Sequence, residues 1–143
     1  MKEYSKTLRI GVDALLREDY RLWEEAGLPP LAPEARYAAA DAAGSIYDGP
    51  RPHEFAAACQ CYHLFRLLHL RAEEFPEAAT LLGDYFFSRF SAYLIPQDNV
   101  PLTLAFADCL ARDAAARADG GRNANDADGE PAFISAIREA LRR

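Results

Sequence analysis

Residues 60–87 read Gln-Cys-Tyr-His-Leu-Phe-Arg-Leu-Leu-His-Leu-Arg-Ala-Glu-Glu-Phe-Pro-Glu-Ala-Ala-Thr-Leu-Leu-Gly-Asp-Tyr-Phe-Phe. Large apolar side chains recur here at three- and four-residue intervals rather than alternately, so the segment reads as helix and not as strand. Pro76 interrupts it, because proline lacks the amide N–H that a helix interior needs and sits at a break or in a first turn. The stretch is therefore the end of one helix and the beginning of another. The first runs from about His53 to about Leu70, with Phe55, Cys59, Tyr62, Phe65, Leu67 and Leu68 apolar, and the second from about Glu77 to Leu94, ending before Pro96.

Working toward the N-terminus, Leu8, Val12, Leu15, Leu16, Tyr20 and Trp23 form the stripe of a single buried helix, which Gly27 and Pro29-Pro30 end. A further helix begins near Pro33, where a missing N–H costs nothing in a first turn, and continues to Ile46. Asp48-Gly49-Pro50-Arg51-Pro52 has the composition of a turn. Toward the C-terminus, Asp98 or Asn99 caps a helix with Pro101 in its first turn and Leu102, Phe106, Cys109 and Leu110 on its inner face. Residues 119–130 hold no apolar side chain larger than alanine, so this segment is expected to be a flexible loop. A last short helix, Pro131 to Arg143, carries Phe133, Ile134, Ile137 and Leu141. No segment alternates at period two and no repeat is visible. The expected architecture is a small all-α helical bundle forming a single domain over residues 1–143.

A chain of 143 residues buries about 70% of its extended surface on folding and needs neither disulfide nor metal to do so. A net charge of −6 and a pI near 5.0 argue against nucleic acid, whose phosphates would be repelled. Cys59, Cys61 and Cys109 cannot all pair, and none has zinc-ribbon or Cys-x-x-Cys spacing, so a reducing cytoplasm is expected. Met1-Lys2-Glu3-Tyr4-Ser5-Lys6 carries no signal-peptide core, and no run approaches the ~18 apolar residues of a transmembrane segment.

Candidate site residues concentrate after Pro76. Leu81, Leu82, Tyr85, Phe86, Phe87, Phe90, Tyr93 and Leu94 place large apolar groups on more than one helical face. Either this is a central helix enclosed by its own bundle, or part of its aromatic face docks on a second subunit. Asp84 lies within that apolar stretch and is expected to be hydrogen-bonded or charge-paired, because isolated burial of a carboxylate is costly. Cys59 and His63, four apart, could share one helical face toward a metal, but two ligands do not make a site. Asp108 and Asp113 are five apart and do not form a cage, and no nucleophile motif surrounds any cysteine.

The quoted stretch resembles the centre of a trans-isoprenyl diphosphate synthase. Gln60 and His63 fit the start of the helix that precedes the first aspartate-rich motif, Leu67 and His69 its end, and Gly83-Asp84-Tyr85 the opening of a later helix. The aspartates themselves are absent. After His69 stand Leu70, Arg71, Ala72, Glu73 and Glu74, so the degenerate motif positions Leu70, Arg71 and Glu74 put an apolar residue and a cation where metal-binding carboxylates belong. Ionising an allylic diphosphate needs Mg²⁺ on hard oxygen ligands, and an arginine in the cage would repel it. The arginine pair that holds diphosphate in the family has no counterpart between Glu74 and Gly83.

Over residues 53–118 the chain looks most like the small, non-catalytic subunit of a heterodimeric bacterial polyprenyl diphosphate synthase of the hexaprenyl or heptaprenyl kind used in menaquinone biosynthesis. The resemblance implies the N-terminal part of the isoprenoid synthase fold and a partner, the catalytic large subunit, which alone would bind Mg²⁺. It makes Tyr85, Phe86, Phe87, Phe90, Tyr93 and Leu94 interface or product-tunnel candidates and leaves this chain without catalytic, cofactor or metal residues of its own. The competing reading is a freestanding helical adaptor or apolar-ligand-binding domain with no synthase partner.

Overall fold

The computed structural model describes residues 3–118 and 133–142, and all regular structure among them is helical. In chain order the helices are α1 (Glu3–Leu15), α2 (Arg17–Glu25), α3 (Pro33–Ile46), α4 (Pro52–Leu70), α5 (Pro76–Leu94), α6 (Val100–Ala118) and α7 (Phe133–Leu141), with a short 3₁₀ turn at Ile95–Gln97. The all-α expectation holds; the segment expected to be a flexible loop lies outside the described residues.

Proline sets three of the starts. Pro33, Pro52 and Pro76 each occupy the first turn of α3, α4 and α5, where the absent N–H has no intrahelical partner to lose. The α6 start is fixed by Asn99, whose Oδ1 accepts from the Leu102 amide at 3.0 Å. Asp98 adopts left-handed backbone instead of capping, with φ 50°.

The bundle is organised around α4. Residues 55–64 are buried without interruption, so every face of this helix between Phe55 and Leu64 meets another element. Its alanines Ala56, Ala57 and Ala58, with Ala39, Ala40 and Ala43 of α3, bring the two helix backbones close. The helix α5 lies against α4 through a single stripe, Ala79, Gly83, Phe86, Phe90 and Leu94, spaced by three and four. This corrects the idea that the aromatic-rich helix is the central one. Tyr62 sits at the middle of the core, its ring 5.3 Å from those of Phe90 and Phe106 and 4.7 Å from that of Phe133.

The expected single N-terminal helix is two. The ladder is interrupted at Leu16, where φ is −107° and ψ is 13°. No proline or glycine lies at the break. The Leu15 carbonyl there accepts from Arg89 Nη2 at 3.0 Å and from the Tyr93 hydroxyl at 3.3 Å, so two α5 side chains enter the ladder, a recognised cause of helix breaks.

Buried and part-buried polar ties link further elements. Gln97, in the turn after α5, donates to the Arg51 and Tyr93 carbonyls and accepts from the Tyr47 hydroxyl at 2.5 Å. Arg66 of α4 holds Asp113 of α6 through two bonds at 2.8 and 3.1 Å, and Tyr62 donates to the same carboxylate at 2.9 Å.

Candidate functional site

The α4–α5 hairpin brings the motif-like residues together at one end of the bundle. His63 is buried inside α4, while His69 is half-buried near its C-terminus, its ring 4.2 Å from that of Phe65. Across the hairpin lies Gly83: a Cβ placed there would stand 3.7 Å from His69 Nε2, so the two helices meet at these positions. The Gly83-Asp84-Tyr85 triplet does not open a helix; it lies within α5, which starts at Pro76. Asp84 is exposed, contrary to its expected burial, and shares a shallow hollow with His69 and Thr80. It escapes the core because the buried stripe passes through Gly83 and Phe86, to either side of it.

Leu70, Arg71 and Glu74 close the end of α4. They line a hollow of about 390 Å³ whose other wall is Trp23 and Pro29 to Ala32. Arg71 Nη1 faces Glu74 Oε2 at 3.4 Å on an exposed surface, a pair of small energetic weight that nevertheless places a cation beside the hollow. Among the described residues no three histidine, cysteine or acidic side chains are grouped so as to hold a metal ion. Among those residues Cys59 and His63 therefore gain no third ligand. Burial pushes the thiols of Cys59, Cys61 and Cys109 up from their ordinary value, which leaves them protonated and poor nucleophiles at neutral pH.

The six aromatic and apolar candidates on α5 divide sharply. Phe86, Phe90 and Leu94 are enclosed by the chain's own core, Phe86 with its ring 6.2 Å from that of Trp23. Tyr85 and Tyr93 are half-buried. Burial, followed by its hydrogen bond to Asp19, pushes the Tyr85 phenol up to about 12. Only Phe87 of the six is exposed, at 38%, and Leu81 one and a half turns earlier is 73% exposed. The surface open to a partner is thus narrower than six residues and includes Leu81, Phe87 and, past the helix end, Ile95.

A third concavity was not legible in the sequence. Between α6 and α7 runs a groove of about 850 Å³, with Ala105, Cys109, Ala136 and Ala140 among its lining and Val100 and Leu104 at its edge. Val100 and Leu104 are 67% and 63% exposed, an outward apolar pair four residues apart. Asp108 and Arg112, also in the lining, pair with each other at 2.7 Å, and Arg66 and Asp113 stand at the same wall.

Comparison with known protein families, curated proteins and solved structures returned no match. Among the described residues no helix is long and apolar enough to cross a membrane.

Proposed function

We propose that the chain is the non-catalytic small subunit of a two-component trans-polyprenyl diphosphate synthase. It pairs with a catalytic large subunit that binds Mg²⁺, allylic diphosphate and isopentenyl diphosphate, and it supports the partner's active helix arrangement in the cytoplasm. Long-chain products of the kind attached to menaquinone follow from the same reading.

The observation that carries this reading is on the α4–α5 hairpin. His69 and Gly83 meet across it, as framework positions of the resemblance, yet the following residues present Leu70 and an Arg71–Glu74 pair rather than a carboxylate cage. Mg²⁺ requires hard oxygen ligands, so a hairpin with an arginine at that point suits a scaffold and not a site of ionisation. The exposed Leu81 and Phe87 add apolar surface on the same helix, and aromatic side chains are the usual anchors of subunit contacts. The test is to co-purify the chain with a catalytic large subunit and assay prenyl chain elongation. Complex formation with a gain in long-chain product is expected; absence of both removes the reading.

The α6–α7 groove favours a second reading, a freestanding domain that binds an apolar ligand, since its volume falls in the range of small-molecule sites. A monomer on sizing chromatography that takes up an apolar fluorescent probe, and loses it on Leu104→Asp, would favour that alternative.

A further inference from the structure

In an unbroken α-helix the Leu15 carbonyl would accept from the Asp19 amide, and the Asp13 carbonyl from the Arg17 amide. Nothing local prevents that arrangement: Leu15-Leu16-Arg17-Glu18 are all good helix formers, and neither proline nor glycine is among them. The cause of the break lies on α5. Arg89 Nη2 donates to the Leu15 carbonyl at 3.0 Å and to Asp19 Oδ2 at 3.2 Å, while its Nε donates to Asp19 Oδ1 at 3.0 Å. The Tyr93 hydroxyl, one turn on, donates to the same carbonyl at 3.3 Å and accepts from Arg89 at 2.8 Å. Donors four residues apart on one helix thus hold an acceptor on each side of Leu16.

We propose that Arg89 and Tyr93 form a clasp that keeps α1 and α2 as two helices, so that α5 sets the direction in which α1 leaves the break. The consequence reaches beyond the junction. Before the break, α1 packs on α3 and α4; after it, α2 packs on α5 and touches α3 through Tyr20, whose hydroxyl donates to the Arg36 carbonyl at 3.1 Å. Straightening the junction moves one set of contacts relative to the other. Asp19 has no solvent exposure, but 30% of the Arg89 side chain remains open to solvent, within reach of a molecule that docks on α5. The inference is independent of whether the chain serves a synthase.

Amide hydrogen exchange at Arg17 and Asp19 tests it. The double variant Asp19→Leu/Arg89→Met removes the pair without leaving a buried charge, a replacement that folded proteins commonly tolerate. In that background, with Tyr93→Phe added, protection of the amides at positions 17 and 19, relative to the unfolded-chain rate of each sequence, is expected to rise roughly fivefold or more as the helical bonds form. A folded variant whose amides at positions 17 and 19 show the wild-type protection overturns the clasp and assigns the break to α1 and α2 themselves. Should the combined variant not fold, Arg89→Lys and Tyr93→Phe read the same amides separately. Lysine keeps the charge against Asp19 but lacks the fork that also reaches Leu15. A partial rise in either supports the clasp, and no change in both overturns it.

Discussion

Arg89 on α5 grips Asp19 on α2 through both carboxylate oxygens, at 3.0 and 3.2 Å, and Asp19 is wholly excluded from solvent. The carboxylate in turn holds the guanidinium above its ordinary value, foremost through that hydrogen bond. Removing one partner leaves a buried charge without compensation, which is far more damaging than removing both. Arg89→Met should therefore cost roughly 3 kcal/mol of stability, and Asp19→Leu in the same chain should restore most of it. Urea unfolding of the two single variants and the double one measures the coupling; additive effects would mean that the pair does not interact.

Phe86 and Phe87 are neighbours in sequence and opposites in environment, which separates folding from docking. Phe86 is fully buried beside Trp23, so Phe86→Ala should cost about 3–5 kcal/mol and lower the melting temperature markedly. Phe87 is 38% exposed and touches Phe65 and Phe90 only at ring distances of 5.7 and 5.9 Å. Leu81→Asp with Phe87→Asp should leave the fold cooperative yet abolish co-purification with a catalytic large subunit. Retained binding by that variant would move the contact elsewhere on the chain.

The starts of α3, α5 and α6 could be read from the sequence because each is marked by a local signal, Pro33, Pro76 and Asn99, whose chemistry acts within one turn, whereas Pro52, read as part of a turn, opens α4. The α1–α2 break could not, since its cause is an arginine 74 residues further on. The identity of the central helix was hidden for a different reason. Aromatic content draws attention to α5, whereas α4 is enclosed partly by virtue of Ala56, Ala57 and Ala58, whose small size admits neighbours. At the candidate site, the identity of Leu70 and Arg71 after His69 was legible residue by residue. The exposure of Asp84 and the enclosure of Phe90 depend on which side of α5 meets α4, a choice made by packing partners.

Among the described residues three have left-handed backbone, and they bracket what that conformation costs. Gly27 has φ 77° and open space where a Cβ would stand, so Gly27→Ala meets no clash and should lose only the conformational term, about 1 kcal/mol. Arg51 has φ 55° between two prolines, and Arg51→Gly should gain up to about 1 kcal/mol because glycine accepts that region freely. Asp98, at φ 50°, should gain less on the same change, since aspartate tolerates the left-handed region better than arginine. Thermal melts of the three variants check the order; a destabilised Arg51→Gly would show that its side chain contributes more than its backbone costs.

Alkaline pH should unfold the protein by a route set in its core. Burial pushes Tyr20 and Tyr62 well above the ordinary phenol value of 10.0 and is the first cause of the Tyr85 shift to about 12. It likewise lifts Cys59 and Cys61 above the ordinary thiol value of 9.0. Below pH 9.0 both the native and the unfolded chain keep these protons, and their contribution to stability is complete. As pH rises further, the unfolded chain releases thiol and then phenol protons that the native chain retains. The unfolded state then binds fewer protons, so the free energy of unfolding falls with pH. Urea midpoints should accordingly hold level up to about pH 9 and decline steadily beyond it, with tyrosinate absorbance appearing together with loss of helical signal. Tyr85→Phe, which deletes one such phenol, should shallow the decline above pH 10.0 while costing a hydrogen bond to Asp19 at neutral pH. Tyrosinate that forms near pH 10.0 with the helical signal intact would show that the core phenols are not held by burial.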